Sequence, residues 1–176
     1  NLFQQTALQK SYNFNMMALV KGQPRLLNLK QMLEVFLAHR REVIMRRAIF
    51  ELRKAKERAH ILEGLSIALA NVDAVIELIR SSASPQQAKE EILTRAWNLA
   101  WVKEMLENST EDNRPERLSA ELGVQGEFYK LSEAQAQAIL DLRLHRLTGL
   151  EQDKITTEFK EILLEIEKNL EIINKP

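Results

Sequence analysis

The sequence predicts a mainly α chain: a short N-terminal β-hairpin, a long antiparallel two-helix coiled coil, and a small globular helical domain at the end of that coil. Three observations predict it. Only five glycines and four prolines occur in 176 residues, which favours long regular elements joined by few turns. Two apolar stripes advance in steps of three and four alone, one in the first third of the chain and one at its end. Asn28, Ser84, Ser132 and Thr148 each stand three residues ahead of a Gln or Glu (Gln31, Gln87, Gln135 and Glu151), the pattern of a self-capped helix start.

Taken in order, Asn1–Gln9 reads as the tail of a helix that begins upstream. Residues 12–29 are the one region that reads as β: Met16–Val20 is an apolar run, Lys21-Gly22-Gln23-Pro24 a turn signal, and Arg25–Leu29 resumes with leucines. A lone hairpin is marginal in water, so a sheet completed by residues outside the chain is expected. The missing initiator Met and the Lys-Pro ending point the same way, to an excised piece. The first long helix is predicted from Leu29 to Glu63, roughly 50 Å, with Gly64 kinking or ending it. Its inner stripe reads Leu33, Leu37, Arg41, Ile44, Ala48, Leu52, Ala55, Ala59, Leu62. The last helix, Gly149–Ile173, carries Ile155, Phe159, Ile162, Ile166, Leu170 and Ile173. Alanines on the first stripe admit the bulky residues of the second, and the intervening chain is long enough to reverse direction.

Between these arms, a compact helical section is expected. Val72, Val75, Ile76 and Ile79 make one apolar face; Ile92, Leu93, Ala96, Leu99 and Ala100 make another; Trp97 and Trp101 share a helix face. Helix starts are marked at Asn71, at Ser84 with Pro85 in the first helical position, and at Ser132. Glu111–Glu116 reads as a surface loop, and Gly123 and Gly126 bracket a connection. The resulting domain plan is 1–28 for the hairpin region, 29–64 with 149–176 for the coiled-coil arm, and 65–148 for the globular knob.

Composition removes several functions. With 45% apolar and 28% charged residues the chain carries a core, which excludes a disordered tail and collagen-like or disulfide-rich scaffolds. Cysteine is absent, and with it any disulfide, thiolate nucleophile or cysteine-ligated zinc. The longest uncharged stretch, Ser11–Val20, is ten residues, against about 20 for a membrane span. No apolar block opens the chain, so cytoplasm is the default compartment. The net charge of zero conceals a split: residues 1–58 hold 12 basic against 4 acidic side chains, and the remainder 13 against 21.

Catalytic patterns are poor. His39 with Glu42, and His60 with Glu63, have a spacing that places two ligands on one helix face, but a metal needs three or four; both pairs, like His145, read as solvated helix charges. No phosphate-binding glycine loop or nucleophile elbow is present. Tyr12 and Tyr129 lack an adjacent Arg and a nearby acidic triad, so packing or hydrogen bonding is the reading for both. Phe36, Phe50 and Phe159 are assigned to core packing. From Arg40 to Arg58 eight cations face three glutamates, and Arg40, Arg41, Arg46 and Arg47 are the candidates to meet DNA phosphates. The alternative is a solvated stalk whose charges pair with glutamates on the return helix. Gln135–Leu147 places apolar residues at 139, 140, 142, 144 and 147, most of the way round a helix, which calls for two buried surfaces. One is the knob; the other is either a partner chain or the knob again.

The segment Ser132–Glu151, SEAQAQAILDLRLHRLTGLE, resembles the signature near the exit gate of the A subunit of bacterial type IIA topoisomerases. QPRLLNLKQMLEVF at Gln23–Phe36, HRREVIMRRAIFELRKAKERAHILEGL at His39–Leu65 and ALANVDAVIELI at Ala68–Ile79 agree in order and spacing. The Thr148-Gly149-Leu150-Glu151 ending is closer to gyrase than to topoisomerase IV; Arg95–Gly126 is the least characteristic stretch. The resemblance implies a piece running from the end of the tower region down the coiled-coil arm to the knob and partway back. It implies that the knob meets its symmetry mate as a dimerising gate through which a transported duplex leaves during ATP-dependent supercoiling. Leu140, Arg143, Leu144 and Leu147 are the gate candidates. The family's catalytic tyrosine, preceded by Arg in a winged-helix module, matches neither Tyr12 nor Tyr129, so no catalytic residue is implied here and the isolated piece is not an enzyme. No cofactor or metal is implied for the chain itself: Mg2+ and ATP enter the parent through its B subunit, in an A2B2 assembly. Two rivals stand beside this reading, the equivalent region of topoisomerase IV and a coiled-coil scaffold with no DNA role.

Overall fold

The computed structural model describes residues 1–99, 102–107, 114, 115, 118, 119, 121–142 and 149–175. It contains two compact units, Asn1–Arg46 and Arg47–Pro176. The described residues are mainly helical, with a short N-terminal hairpin, a long helix and a small, mostly helical domain after it.

In the first unit, helix α1 (Leu2–Gln5) is a single turn, followed by strands β1 (Met17–Val20) and β2 (Gln23–Leu26). The hairpin turns on two residues, Lys21 at φ 52° and Gly22 at φ 79°. Two consecutive positive φ values match the twist of the flanking strands, and glycine takes the second at no steric cost. The turn is therefore tighter than the four residues expected. Gln23 and Pro24 belong to β2, where Pro24 stands opposite Leu19.

Helix α2 (Leu29–Ala70) follows, 42 residues long. Its start is the reciprocal cap that the sequence indicates. The Asn28 N–H donates to Gln31 Oε1 at 3.0 Å, and the Gln31 N–H donates to Asn28 Oδ1 at 2.8 Å. The expected end at Glu63 is wrong: the helix runs through Gly64 unbroken. A glycine in a helix interior costs stability, about 1 kcal/mol against alanine. What Gly64 supplies in return is space, because a Cβ there would stand 2.6 Å from Gln135 Cγ.

In the second unit α2 packs along α7 (Gly149–Asn174). Ala55, Ala59 and Leu62 interleave with Ile155, Phe159, Ile162 and Ile166, and Phe159 is wholly buried. Small residues on one helix and large ones on the other bring the axes close. Arg58 meets Glu158 across the seam at 2.6 Å. Ala48 and Asn169 are buried as well. The predicted stripe on α2 is thus correct from Ala48 onward and fails before it: Leu33, Leu37 and Ile44 are each about half exposed.

The domain between them holds α3 (Val72–Ser81), α4 (Pro85–Thr94), β3 (Trp97–Asn98), α5 (Val102–Glu107), β4 (Gly123–Gln125), β5 (Phe128–Lys130) and α6 (Glu133–Leu140). Its core gathers Ile67, Leu78, Ile92, Trp97, Val102 and Ile139. α3 turns Val75 and Leu78 inward and leaves Ile79 exposed, a rotation from the face read in sequence. The three-stranded antiparallel sheet, in the order β3-β5-β4, is absent from the sequence reading. Helix α4 ends at Thr94 and the chain turns extended at Arg95 (ψ 137°). Trp97 therefore lies in a strand and Ala96 is exposed. The Trp97 indole N–H donates to the Ile92 carbonyl at 3.0 Å. A buried indole needs that acceptor, and the end of α4 provides it. Gly123 and Gly126, read as bracketing a loop, sit in β4 and in the two-residue turn to β5. Trp101 and Ala100 lie outside the described residues.

Candidate functional site

Helix α6 opens with a complete capping box: the Ser132 N–H donates to Gln135 Oε1 at 2.9 Å, and the Gln135 N–H donates to Ser132 Oγ at 3.3 Å. That box fixes which way the Gln135 amide points. Its Nε2 faces α2 and donates to the His60 carbonyl at 2.7 Å and to the Tyr129 hydroxyl at 2.9 Å, with His60 Nδ1 at 3.2 Å. With the Gln135 NH2 sharing a hydrogen with Nδ1, the fitting tautomer of the imidazole is the one protonated on Nε2, 2.7 Å from Ser132 Oγ. The Tyr129 hydroxyl donates in turn to Glu63 Oε2 at 3.0 Å. One network thus joins α2, β5 and the N-terminus of α6. No buried side-chain nitrogen or oxygen among the described residues lacks a hydrogen-bond partner.

Electrostatics follow from burial. Desolvation first, and then the charge of Arg114, lower the His60 pKa to about 4, so the ring is neutral at pH 7. Burial and the Glu63 carboxylate raise the Tyr129 phenol well above its ordinary value, so it stays a hydrogen-bond donor. The reading of His60 as a solvated helix charge is therefore wrong: the ring is 6% exposed. The reading of Tyr129 as a hydrogen-bonding, packed residue is correct. Among the described residues no group of three or more His, Asp or Glu side chains is placed to hold a metal ion.

Of the gate candidates, Leu140 is the last residue of α6, half-buried against the core of the domain. The helix predicted to continue to Leu147 stops there, capped by Asp141, whose N–H donates to the Gln137 carbonyl. Arg143, Leu144 and Leu147 lie outside the described residues, as do His145 and Thr148.

All four basic candidates on α2 are exposed. Arg46 pairs with Glu42, and Arg47 with Glu51 at 2.7 Å, both one helical turn away; the Glu51 hydrogen bond raises the Arg47 pKa further. Arg40 and Arg41 carry no ion pair among the described residues. The pairing expected with the return helix occurs at Arg58 and Glu158. Phe36 and Phe50 are not core residues, being 59% and 47% exposed. Phe50 lies under two cations, Lys54 Nζ at 4.7 Å and Arg53 Cζ at 5.7 Å from the ring centre.

Sequence reasoning missed Gln135 as a connector, Gly64 as its clearance and Arg114 altogether. Arg114 falls in the segment read as a surface loop, yet it is half-buried, donates to the Leu122 carbonyl and lies where a Cβ on Gly123 would meet its guanidinium at 2.8 Å. The capping box was the visible signal for Gln135; its contacts to His60 span 75 residues, and no local pattern carries those.

A family model for the A subunit of DNA gyrase/topoisomerase IV matches residues 1–176. The chain belongs to that family. It is 54% identical, over its whole length, to the DNA gyrase A subunit of Pseudomonas aeruginosa, of which it covers 19%. Against the DNA gyrase A subunit of Escherichia coli K12 the identity is 54% across 90% of the chain and 18% of the relative. Against that of Haemophilus influenzae it is 47% across 99% of the chain and 20% of the relative. The chain thus spans about a fifth of the curated relatives it matches. No helix among the described residues is long and apolar enough to cross a membrane.

Proposed function

We propose that the chain is the coiled-coil arm and dimerising exit gate (C-gate) of a gyrase A-like subunit, through which a transported DNA duplex leaves during ATP-dependent supercoiling by the parent. The observation that carries this reading is the family match through every residue of the chain. On this reading 29–64 and 149–176 form the arm, 65–148 the knob, and residues 1–28 the end of the tower. The parent is an ATP-dependent, cytoplasmic type IIA topoisomerase, an A2B2 assembly that takes Mg2+ and ATP through its B subunit. The piece alone binds no cofactor and has no cleavage activity, because it lacks the module with the catalytic tyrosine.

A gate must hold two subunits together and still open transiently, an equilibrium that a passing duplex biases. Leu140, Arg143, Leu144 and Leu147 are the residues proposed to close it. Light scattering after gel filtration, across a concentration series, tests this. A mass near twice 20.4 kDa that returns to one chain on Leu144→Glu supports the gate; a dimer insensitive to Leu144→Glu places the contact elsewhere. Leu140→Glu is the weaker probe, since Leu140 also packs on the domain core.

Transit past the arm is proposed to be nonspecific and salt-sensitive. Arg40 and Arg41 have no ion pair among the described residues, whereas Arg46 and Arg47 must first leave a glutamate. Alanine at 40 and 41 should therefore weaken duplex binding more than alanine at 46 and 47. Equal losses, or none, count against the arm as a DNA surface. The relatives' names favour gyrase over topoisomerase IV; supercoiling by the full-length parent, rather than relaxation alone, decides between them.

A further inference from the structure

We propose that Gln135 is a positioning residue: it pins the N-terminus of α6 to the His60–Gly64 turn of α2, and the proton state of His60 decides whether the pin holds. The argument begins with geometry. Apolar contacts alone, here Ala136 and Ile139 against the core, let a short helix slide or rotate by a few degrees at little cost. Directed bonds from a single residue to three partners do not. Gln135 uses its backbone N–H and Oε1 on the Ser132 cap, and shares the two hydrogens of Nε2 among the His60 carbonyl, the Tyr129 hydroxyl and His60 Nδ1. It is fully buried, so water cannot replace a partner that moves away.

Two features show that α2 is shaped for this contact. Gly64 removes the Cβ that would strike Gln135 Cβ and Cγ at 2.7 and 2.6 Å. His60, one turn earlier, offers both its carbonyl and its ring to the same side chain. The imidazole meets a donor at Nδ1, the Gln135 NH2, and an acceptor at Nε2, the Ser132 hydroxyl. Only the neutral ring protonated at Nε2 satisfies both. A second proton, at Nδ1, would set N–H against N–H, and the Gln135 amide cannot flip to relieve this without breaking the α6 cap. Among the described residues, the other ionisable groups joined to this network are Glu63 on α2, Tyr129 on β5 and Arg114. The Arg114 charge disfavours the imidazolium, and Tyr129 occupies an oxygen of Glu63. Acid therefore loosens α6 from α2 before it unfolds the seam with α7.

Amide hydrogen exchange of the 176-residue chain, corrected for intrinsic rates, reads the joint directly. In the unaltered chain the amides of Ala136–Leu140 should lose protection about ten- to a hundredfold between pH 6.5 and 4.5, the effect of one or two buried hydrogen bonds, while Ala55–Leu62 keep theirs. Gln135→Glu should reverse the profile. A carboxylate oxygen facing Nδ1 wants the imidazolium, so α6 is loose at pH 7.5 and regains protection toward pH 5.5. The same profile in both proteins overturns the proposal. If Gln135→Glu does not fold, His60→Gln decides: a flat profile from pH 6.5 to 4.5 supports the pin, and persistence of the original pH dependence refutes it. The exchange reads α6 whether or not the chain dimerises, so a failed joint and a failed gate are told apart.

Discussion

Replacing Gly64 by alanine opposes two effects that are usually considered apart. In an exposed helix interior the change stabilises by about 1 kcal/mol, because alanine loses less backbone entropy. Here the new methyl carbon would lie 2.6 Å from Gln135 Cγ, 2.7 Å from its Cβ and 2.9 Å from its Cδ. Ordinary carbon contacts lie at about 3.5–4.0 Å, so close to 1 Å of movement is required. The atoms struck are the base of a side chain held at its far end by Ser132, His60 and Tyr129, so the whole of α6 must shift or the network must break. Overpacking of that kind costs ~1–3 kcal/mol, and a lost buried hydrogen bond adds ~1 kcal/mol or more. The steric terms win, and Gly64→Ala should destabilise the second unit by about 1–3 kcal/mol, set by balance against the propensity gain. Urea unfolding followed by tryptophan fluorescence reads the core around the buried Trp97. With a slope of about 2 kcal/mol per molar, the midpoint should fall by ~0.5–1.5 M. In a Gln135→Ala background, where Cγ and Cδ are gone, the cost should shrink by ~1 kcal/mol. An unchanged or raised midpoint for Gly64→Ala would show that α6 does not approach α2 as described.

Three further outcomes are expected. Phe159→Ala should cost about 3–5 kcal/mol, since the ring is wholly buried between Ala55, Ala59 and Leu62; a loss under about 1 kcal/mol in chemical denaturation would mean that the seam does not form there. Tyr129→Phe removes the hydroxyl that accepts from Gln135 and donates to Glu63, and should cost ~1–3 kcal/mol by the same measurement. For pH, the folded His60 pKa near 4 lies below its unfolded value of 6.5. The stability it contributes is complete above pH 6.5 and is lost as pH falls toward 4, by about 2–3 kcal/mol in all. Urea midpoints at pH 7.0, 5.5 and 4.0, compared with His60→Gln, isolate that share; equal slopes in the two proteins would exclude it.

What the sequence disclosed was whatever neighbours on the chain decide. Three cap pairs formed as read, Asn28 with Gln31, Ser84 with Gln87 and Ser132 with Gln135, because a cap needs partners only three residues apart. The seam was legible from Ala48 onward for a similar reason: a stripe in steps of three and four stays on one side of a helix. The sheet β3-β5-β4 was not. Its strands have two or three residues, too few for alternation to stand out, and Trp97 pairs with Tyr129, 32 positions away. Trp97 reads as helical by spacing alone. It became a strand residue because its indole reaches back to the Ile92 carbonyl at the end of α4.

The candidate site divides in the same way. Sequence alone determined the helix starts, the charge split between residues 1–58 and the remainder, the small-against-large seam and the family signature at Ser132–Glu151, since each is a property of composition or local spacing. Tertiary structure decided which polar residues act together. His60 and Gln135 are 75 residues apart, and only the close approach at Gly64 turns a helix histidine into a neutral, buried acceptor. It also decided which cations on α2 are paired among the described residues, because ion pairing depends on side-chain geometry as well as on spacing. Long-range polar contacts leave no periodic trace in a chain; they exist only once burial has removed water as a competing partner.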